Sequence, residues 1–349
     1  MVTVSVCMIV KNEELVLERC LKSIQPIADE IIIVDTGSTD ATKQIAARYT
    51  DQIFEFAWTG SFSDARNFSF SKASKDFIYT ADADEEMDEQ NIAKFQMLKQ
   101  AMLPEIEIVQ MWYENCNDVH TTENFRKSYR PKLYRRLRTF FWDDPVHEMV
   151  RMTPVVFDSD ITVMHKPVGE HAKRDLDIFH QMAQKDAPMS ERLRRMYARE
   201  LYMAGNDEEL SRAQPFFKKQ QESVDSKLLQ MKESGIIQAK NARIKGDFAA
   251  FLKNALKDML TEPSAEMCVE LGTYFESLGD YEEAILWYYN AAFETECLMD
   301  ARCGGEIPQK RLSVCYNMLA DSLPNECETD KKKYREIANN YDKMAENSR

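Results

Sequence analysis

The stretch FIYTADADEEMD, Phe77 to Asp88, passes from apolar residues to a dense acidic cluster within five positions. Asp82 and Asp84, one residue apart at the end of a strand-like run, can both reach one divalent cation, directly or through water or a phosphate oxygen. Oxygen ligands of this kind suit Mg²⁺ or Mn²⁺, which in turn neutralise a diphosphate. A solvated acidic turn is the other reading of the same residues. Two more polar clusters follow apolar runs in the same way: Lys11-Asn12-Glu13 after Val2–Val10, and Asp35-Thr36-Gly37-Ser38 after Ile31–Val34. The second of these also reads as a tight turn that caps the next helix.

The surrounding pattern says what must hold these clusters. Val2–Val10 reads as a buried strand. A helix opened by Asn12-Glu13-Glu14 then carries Leu15, Leu17, Cys20, Leu21 and Ile24 on one face. Ile31–Val34 is a second strand, 41–49 a second helix, and 52–57 a third strand. A helix over 64–75 leads into a strand at 76–80, and later strands fall at 105–113, 132–136 and 155–164. Strand and helix alternating at this spacing predict an α/β domain with a mostly parallel sheet and helices on both faces. In such sheets the carboxyl ends of the strands line the ligand crevice, where all three clusters fall.

After Pro167 the composition turns to Leu, Ala, Met, Glu and Lys, which predicts an all-α domain. Within it, ELGTYFESLGDYEEAILWYYNAA places Gly272, Phe275, Gly279, Tyr281, Ala284, Tyr288 and Ala291 at the offsets of a tetratricopeptide helix-turn-helix. MYARELYMAGNDEELSRA, with Ala198, Gly205 and Ala213, is a weaker copy, and an ordinary helical bundle fits the segment too. The expected division is 1–175 for the α/β domain and 176–349 for the helical one, in line with 349 residues being too many for one ordinary core.

A hydrophobic content of 44% beside 30% charged residues is that of a soluble globular protein. No run is long enough for a membrane span and no signal peptide is visible, so a cytoplasmic protein with at most peripheral membrane association is expected. A net charge of −14 argues against general nucleic-acid binding. Eight scattered cysteines without a CxxC pair read as reduced thiols, not as a zinc site.

In their order, VSVCMIVKNEE, IIIVDTGSTDAT, DARNFS and ADADE resemble the family 2 glycosyltransferases of GT-A fold. More narrowly, they are similar to the bacterial branch that includes lipooligosaccharide β-glucosyltransferases and the sublancin-type peptide S-glycosyltransferases, the latter also carrying helical repeats. The resemblance covers about residues 1–175. It implies a UDP-sugar donor, Mn²⁺ or Mg²⁺, and inversion at the anomeric carbon. On this sequence it implies that Val10, Asn12 and Glu13 border the nucleotide. Asp35 would accept a hydrogen bond from uracil, with Gly37 and Ser38 allowing close backbone approach. Asp64 and Arg66 would lie near the base or its phosphates. Asp82, Ala83 and Asp84 would hold ribose and metal, with Asp84 as the direct ligand.

The resemblance also marks FFWDDPVHEMV, whose Glu148 would be the catalytic base, with His147 as positioner or alternative base. Asp143 and Asp144 compete for that role, and Pro145 stands where a glycine is expected. His165, ending ITVMH, falls where such enzymes often place a further metal or diphosphate ligand; a hydrogen-bonded strand terminus is the alternative. Lys166, His171, Lys173 and Arg174 would cover the diphosphate, or form a solvated helix start. The run 126–138, with seven Lys or Arg in thirteen residues, would meet phosphate or an anionic acceptor, or pair with neighbouring carboxylates.

The expectation is a metal-dependent inverting glycosyltransferase that moves glucose or N-acetylglucosamine from a UDP-sugar to a protein, peptide or glycan acceptor. The rivals are an interaction protein with a vestigial transferase half, and a sugar nucleotidyltransferase. A nicotinamide dehydrogenase is excluded because no G-x-G-x-x-G follows the first strand.

Overall fold

Cys7, Ile32, Val34 and Ile78 share one small apolar cluster with Phe68, while Val4, Val6, Met8 and Val10 face a larger one with Leu17, Leu21 and Ile24. Residues alternating along one strand thus enter two cores, which is why the strands read as unbroken apolar runs. The computed structural model describes residues 1–115, 127–137, 142–150, 155–166, 172–222, 227–324 and 327–347. They divide into two compact units, one drawn from residues 1–171 and one from 172–349.

The first unit runs β1 (Val4–Val10), α1 (Leu17–Ile24), β2 (Glu30–Asp35), α2 (Thr42–Ala46), β3 (Ile53–Glu55), α3 (Phe62–Lys72), β4 (Phe77–Ala81), β5 (Glu85–Glu86) and α4 (Glu89–Ala101). It continues with β6 (Ile108–Asn115), β7 (Lys127–Arg135), β8 (Trp142–Asp143), β9 (Met149–Val150) and β10 (Val156–His165). Eight strands form one sheet in the order β3-β2-β1-β4-β7-β6-β10-β5. Pairs β2/β3, β1/β2, β1/β4 and β6/β10 are parallel, whereas β7 runs antiparallel to β4 and β6, and β5 to β10. β8 and β9 make a separate two-stranded ribbon. Register aligns Val10 with Asp35 and Met8 with Ala81. The loops that follow β1, β2 and β4 therefore leave the sheet at one edge.

Two local expectations are corrected. Asn12-Glu13-Glu14 does not open a helix: Asn12 has φ 55°, α1 begins at Leu17, and Leu15 is 79% exposed. These residues bind the loop after β2 instead. Asn12 Oδ1 accepts from the Thr39 N–H at 2.8 Å, the Glu13 N–H donates to the Thr42 hydroxyl at 2.7 Å, and Glu14 accepts from the Ala41 N–H at 2.9 Å. Helix α2 is Thr42–Ala46, shorter than the expected 41–49, mainly because residues 47–49 close in tighter turns, with the Arg48 N–H on the Ile45 carbonyl and the Tyr49 N–H on that of Ala46. Helix α4, which the sequence pattern did not announce, buries Asn91 and Lys99 along with Phe95. Lys99 is paired with Asp29 at 2.6 Å. Polar residues on its inner face erase the periodicity that would have revealed it.

In the second unit, α5 (Ala172–Gln184), α6 (Glu191–Ala204), α7 (Asp207–Glu222), α8 (Leu228–Ile244), α9 (Phe248–Met259), α10 (Ala265–Ser277), α11 (Tyr281–Phe293), α12 (Glu306–Ser322) and α13 (Glu328–Asn347) follow one another, with no strand element among the described residues. Ser190, Asp247, Ser264 and Asp280 cap helices by accepting a backbone N–H. Gly279, with φ 76°, turns the chain from α10 into α11. Gly272 admits the buried Tyr288 ring, since a Cβ there would lie 2.7 Å from ring carbons. Among the described residues no helix is long and apolar enough to cross a membrane.

Candidate active site

At the end of β2, Asp35 is 1% exposed. Its Oδ1 accepts from the backbone N–H groups of Gly37 at 3.0 Å and Ser38 at 2.9 Å. Gly37 has φ 105°, a left-handed conformation that favours glycine. The Ser38 hydroxyl accepts from the Asn12 N–H at 3.0 Å, and the Thr36 N–H donates to the Val10 carbonyl, so the first two loops are knitted together. Asp35 Oδ2 is buried with no hydrogen-bond partner among the described residues. A buried acceptor in that state carries a desolvation cost that an incoming donor group would relieve.

Helix α3 begins with Ser61 accepting from the Asp64 N–H, and it turns Arg66 inward to 7% exposure. Arg66 joins two carboxylates: Nη2 lies 2.8 Å from Asp82 Oδ1, and Nε lies 2.8 Å from Glu148 Oε1. Its guanidinium also stacks 4.8 Å from the centre of the Trp142 ring. Burial alone would raise the Asp82 carboxyl, but Arg66, followed by Lys132, outweighs it and holds the group well below the usual carboxylate range. For Arg66 too the two carboxylates overcome burial, so the guanidinium is bound more firmly to its proton than in water.

Glu148 enters from the turn between β8 and β9. Asp144 and His147 adopt φ of 69° and 48° there, a conformation that costs non-glycine residues energy and is tolerated where the surroundings enforce it. Pro145, at the expected glycine position, ties this turn to α3 by accepting from the Phe62 N–H at 2.8 Å. His147 is half-buried in the same turn.

The acidic turn after β4 points its members in different directions. Asp84 Oδ2 meets His165 Nε2 at 3.0 Å, and His165 Nδ1 meets Asn115 Oδ1 at 3.1 Å. Ala83 between the two aspartates is buried. Glu85 faces the core, where Lys132 Nζ contacts its two oxygens at 2.5 and 2.7 Å. Burial drives the Glu85 carboxyl up to about 7, against the pull of Lys132 and with the repulsion of Asp82 and Asp84. Lys166 pairs with Glu86 at 2.7 Å.

Among the described residues, no three His, Cys, Asp or Glu side chains converge as a preformed metal site. Asp84 and His165 nonetheless offer a carboxylate oxygen from the acidic turn and an imidazole nitrogen from the end of β10. That pair fits a Mn²⁺ or Mg²⁺ that keeps water or phosphate oxygens in its other positions. Asp82, expected beside them, is turned to Arg66.

The structure thus joins Arg66, Asp82 and Glu148 in one network and Asp84 with His165 in another, two residues along the chain. Asp64 stays in the first turn of α3, accepting from the Thr59 hydroxyl at 2.9 Å. Lys132 with Glu85 and the Trp142 platform went unnoticed in the sequence. Lys132 stands in a run of basic residues, with nothing in the spacing to mark it as the buried one. Arg126, Arg138 and His171 lie outside the described residues, as do the side chains of Lys173 and Arg174.

Residues 5–161 match the family described as glycosyl transferase family 2. A TPR repeat-containing protein of Synechococcus elongatus is 44% identical over 87 residues, which is 25% of this chain and 22% of that protein. The lipopolysaccharide core biosynthesis glycosyltransferase LpsC of Rhizobium meliloti is 30% identical over 134 residues, 36% of this chain and 48% of LpsC. The SPbeta prophage-derived glycosyltransferase SunS of Bacillus subtilis is 24% identical over 217 residues, 59% of this chain and 51% of SunS. The chain spans from about a fifth to about half the length of these relatives.

Proposed function

With residues 5–161 forming a family 2 glycosyltransferase domain, we propose that the protein is a metal-dependent inverting glycosyltransferase. The donor is a UDP-sugar, glucose or N-acetylglucosamine favoured, and the acceptor a protein, peptide or saccharide. The observation that carries this reading is the Arg66 bridge, 2.8 Å from Asp82 on one side and from Glu148 on the other, beside the Asp84–His165 pair. A carboxylate aimed at the acceptor, a cation and a ligand pair for a divalent ion are what transfer from a nucleotide diphosphate needs.

Each residue then has a task. Asp35 Oδ2 accepts the uracil N–H that its buried oxygen lacks, while Gly37 and Ser38 leave room for the ring, beside Val10, Asn12 and Glu13. Asp82 turns its remaining oxygen to the ribose hydroxyls. Asp84 and His165 would hold Mn²⁺ or Mg²⁺, which supplies the positive charge that stabilises the leaving diphosphate. Arg66 orients Glu148. Glu148 takes the proton of the acceptor hydroxyl or thiol as that atom bonds to C1, while the bond from C1 to the UDP oxygen breaks on the opposite face. Helical pairs such as α10–α11 suit the presentation of an extended acceptor, as concave helical repeats do.

The deciding experiment supplies UDP-glucose, UDP-N-acetylglucosamine, UDP-galactose and GDP-sugars with Mn²⁺ and measures free nucleotide. UDP release from one UDP-sugar, abolished by chelation, is expected. Release of pyrophosphate from a nucleoside triphosphate, with no UDP from any sugar nucleotide, would replace the transferase with a nucleotidyltransferase.

A further inference from the structure

Behind the acidic turn lies a buried ion pair to which the transfer reaction gives no task. Lys132 is 5% exposed and Glu85 1%. Lys132 comes from β7, the antiparallel strand inserted between β4 and β6. Besides Glu85, its ammonium donates to the Thr80 carbonyl at 3.2 Å. Glu85 Oε2 in turn accepts from the Asp82 N–H at 3.3 Å. In the β5/β10 ladder, Glu85 is the direct antiparallel partner of His165. The pair therefore touches the chain just before the acidic turn, the first residue of the turn, and the strand position opposite the imidazole that meets Asp84.

Stability does not explain the pair. Two desolvated charges hold a fold no better than apolar residues of similar volume, and often less well. Apolar residues, however, have no acceptor for the Asp82 N–H and no donor for the Thr80 carbonyl. We infer that Lys132 and Glu85 are positioning residues: they clamp the turn so that Asp82 meets Arg66 while Asp84 meets His165. The clamp deepens the donor-site reading and rests on it for its consequence in binding, but its geometric claim stands apart.

Two uncharged double variants test it. In K132M/E85Q the glutamine oxygen still accepts from the Asp82 N–H; in K132M/E85L nothing does. Both are checked for folding by melting temperature and near-ultraviolet circular dichroism. Affinity for UDP with Mn²⁺ is measured by calorimetry, and the His165 ring nitrogens are followed by NMR without ligand. The clamp predicts that K132M/E85L folds, binds UDP with Mn²⁺ about tenfold more weakly than wild type, and shows His165 signals moved to those of a solvated imidazole. K132M/E85Q, which keeps the contact to the Asp82 N–H and loses the one to the Thr80 carbonyl, recovers part of both. Equal affinity and unchanged His165 signals in the two variants overturn the clamp. A wild-type protein that ignores UDP with Mn²⁺ sinks the donor reading instead, and the clamp is then decided on the His165 signals alone. Should K132M/E85L fail to fold, K132M/E85Q is compared with the wild type alone: His165 signals displaced part of the way uphold the clamp, and signals identical to those of the wild type overturn it.

Discussion

Asp84 and His165, 81 residues apart in the chain, meet at 3.0 Å through a carboxylate oxygen and an imidazole nitrogen. β5 lies antiparallel on β10, and this pairing puts the end of the acidic turn against the end of the last strand of the sheet. Asp84→Ala removes one of the two groups offered to a divalent ion without touching an apolar core. UDP with Mn²⁺ at a hundred times its dissociation constant stabilises a protein by about 2.7 kcal/mol. A thermal shift is expected for the wild type and none for Asp84→Ala, whose own melting temperature stays close to that of the wild type. A normal ligand shift in the variant would move the metal to other residues.

Glu148→Gln preserves an oxygen for Arg66 but cannot take a proton. Transfer is expected to fall by about 10²–10⁴-fold, with UDP affinity unchanged by calorimetry. Full transfer would direct attention to His147, Asp143 and Asp144 in the same turn.

Glu200, in α6, is pushed up to about 7, chiefly by burial and then by the nearby Asp175 carboxylate. A carboxyl raised in the folded state supports folding below its unfolded pKa, and that support is lost as pH rises through the folded value. Between pH 4.5 and 7 the wild type therefore loses stability through this group. Glu200→Gln flattens that part of the curve, by on the order of 2 kcal/mol at pH 8. Melting curves from about pH 4 to 8 measure it, and parallel profiles for the two proteins would refute it.

Gly272→Ala inserts a methyl group where the Tyr288 ring leaves 2.7 Å. The ring cannot swing away cheaply, because its hydroxyl is hydrogen-bonded to Glu276 at 2.8 Å and to Thr273 at 3.2 Å. A loss of about 1–3 kcal/mol is expected, read by urea unfolding of the full chain. Gly279→Ala, whose Cβ would meet nothing within 4 Å, loses stability only through its φ of 76°. Equal unfolding midpoints for Gly272→Ala and the wild type would show that α10 and α11 separate easily.

Much of the architecture was readable because its signals are local. Most long strands of the sheet and the change to an all-helical second half stood in runs of apolar residues and in the clusters that stop them, whereas β7, KSYRPKLYR, was read only over 132–136 because its first half is polar. Where the reading failed, distant contacts had overruled local preference. Asn12 would begin a helix in isolation, yet its side chain and those of its neighbours find better partners in the loop after β2. Helix α4 hid because Lys99 lies inside it, neutralised by Asp29.

From its order of residues alone, this protein was committed to three polar loops at one edge of a sheet. The alternation of strand and helix decides this, since parallel strands joined by crossover helices all finish at the same end of the sheet. Which charges meet was decided only by the tertiary structure. Arg66 lies 16 residues from Asp82 and 82 from Glu148, and Lys132 lies 47 from Glu85. No local pattern selects those partners from a chain with 45 basic and 59 acidic residues. Strand order and register bring them within about 3 Å, and burial then makes the choice binding, because a charge without its partner there costs far more than one in water.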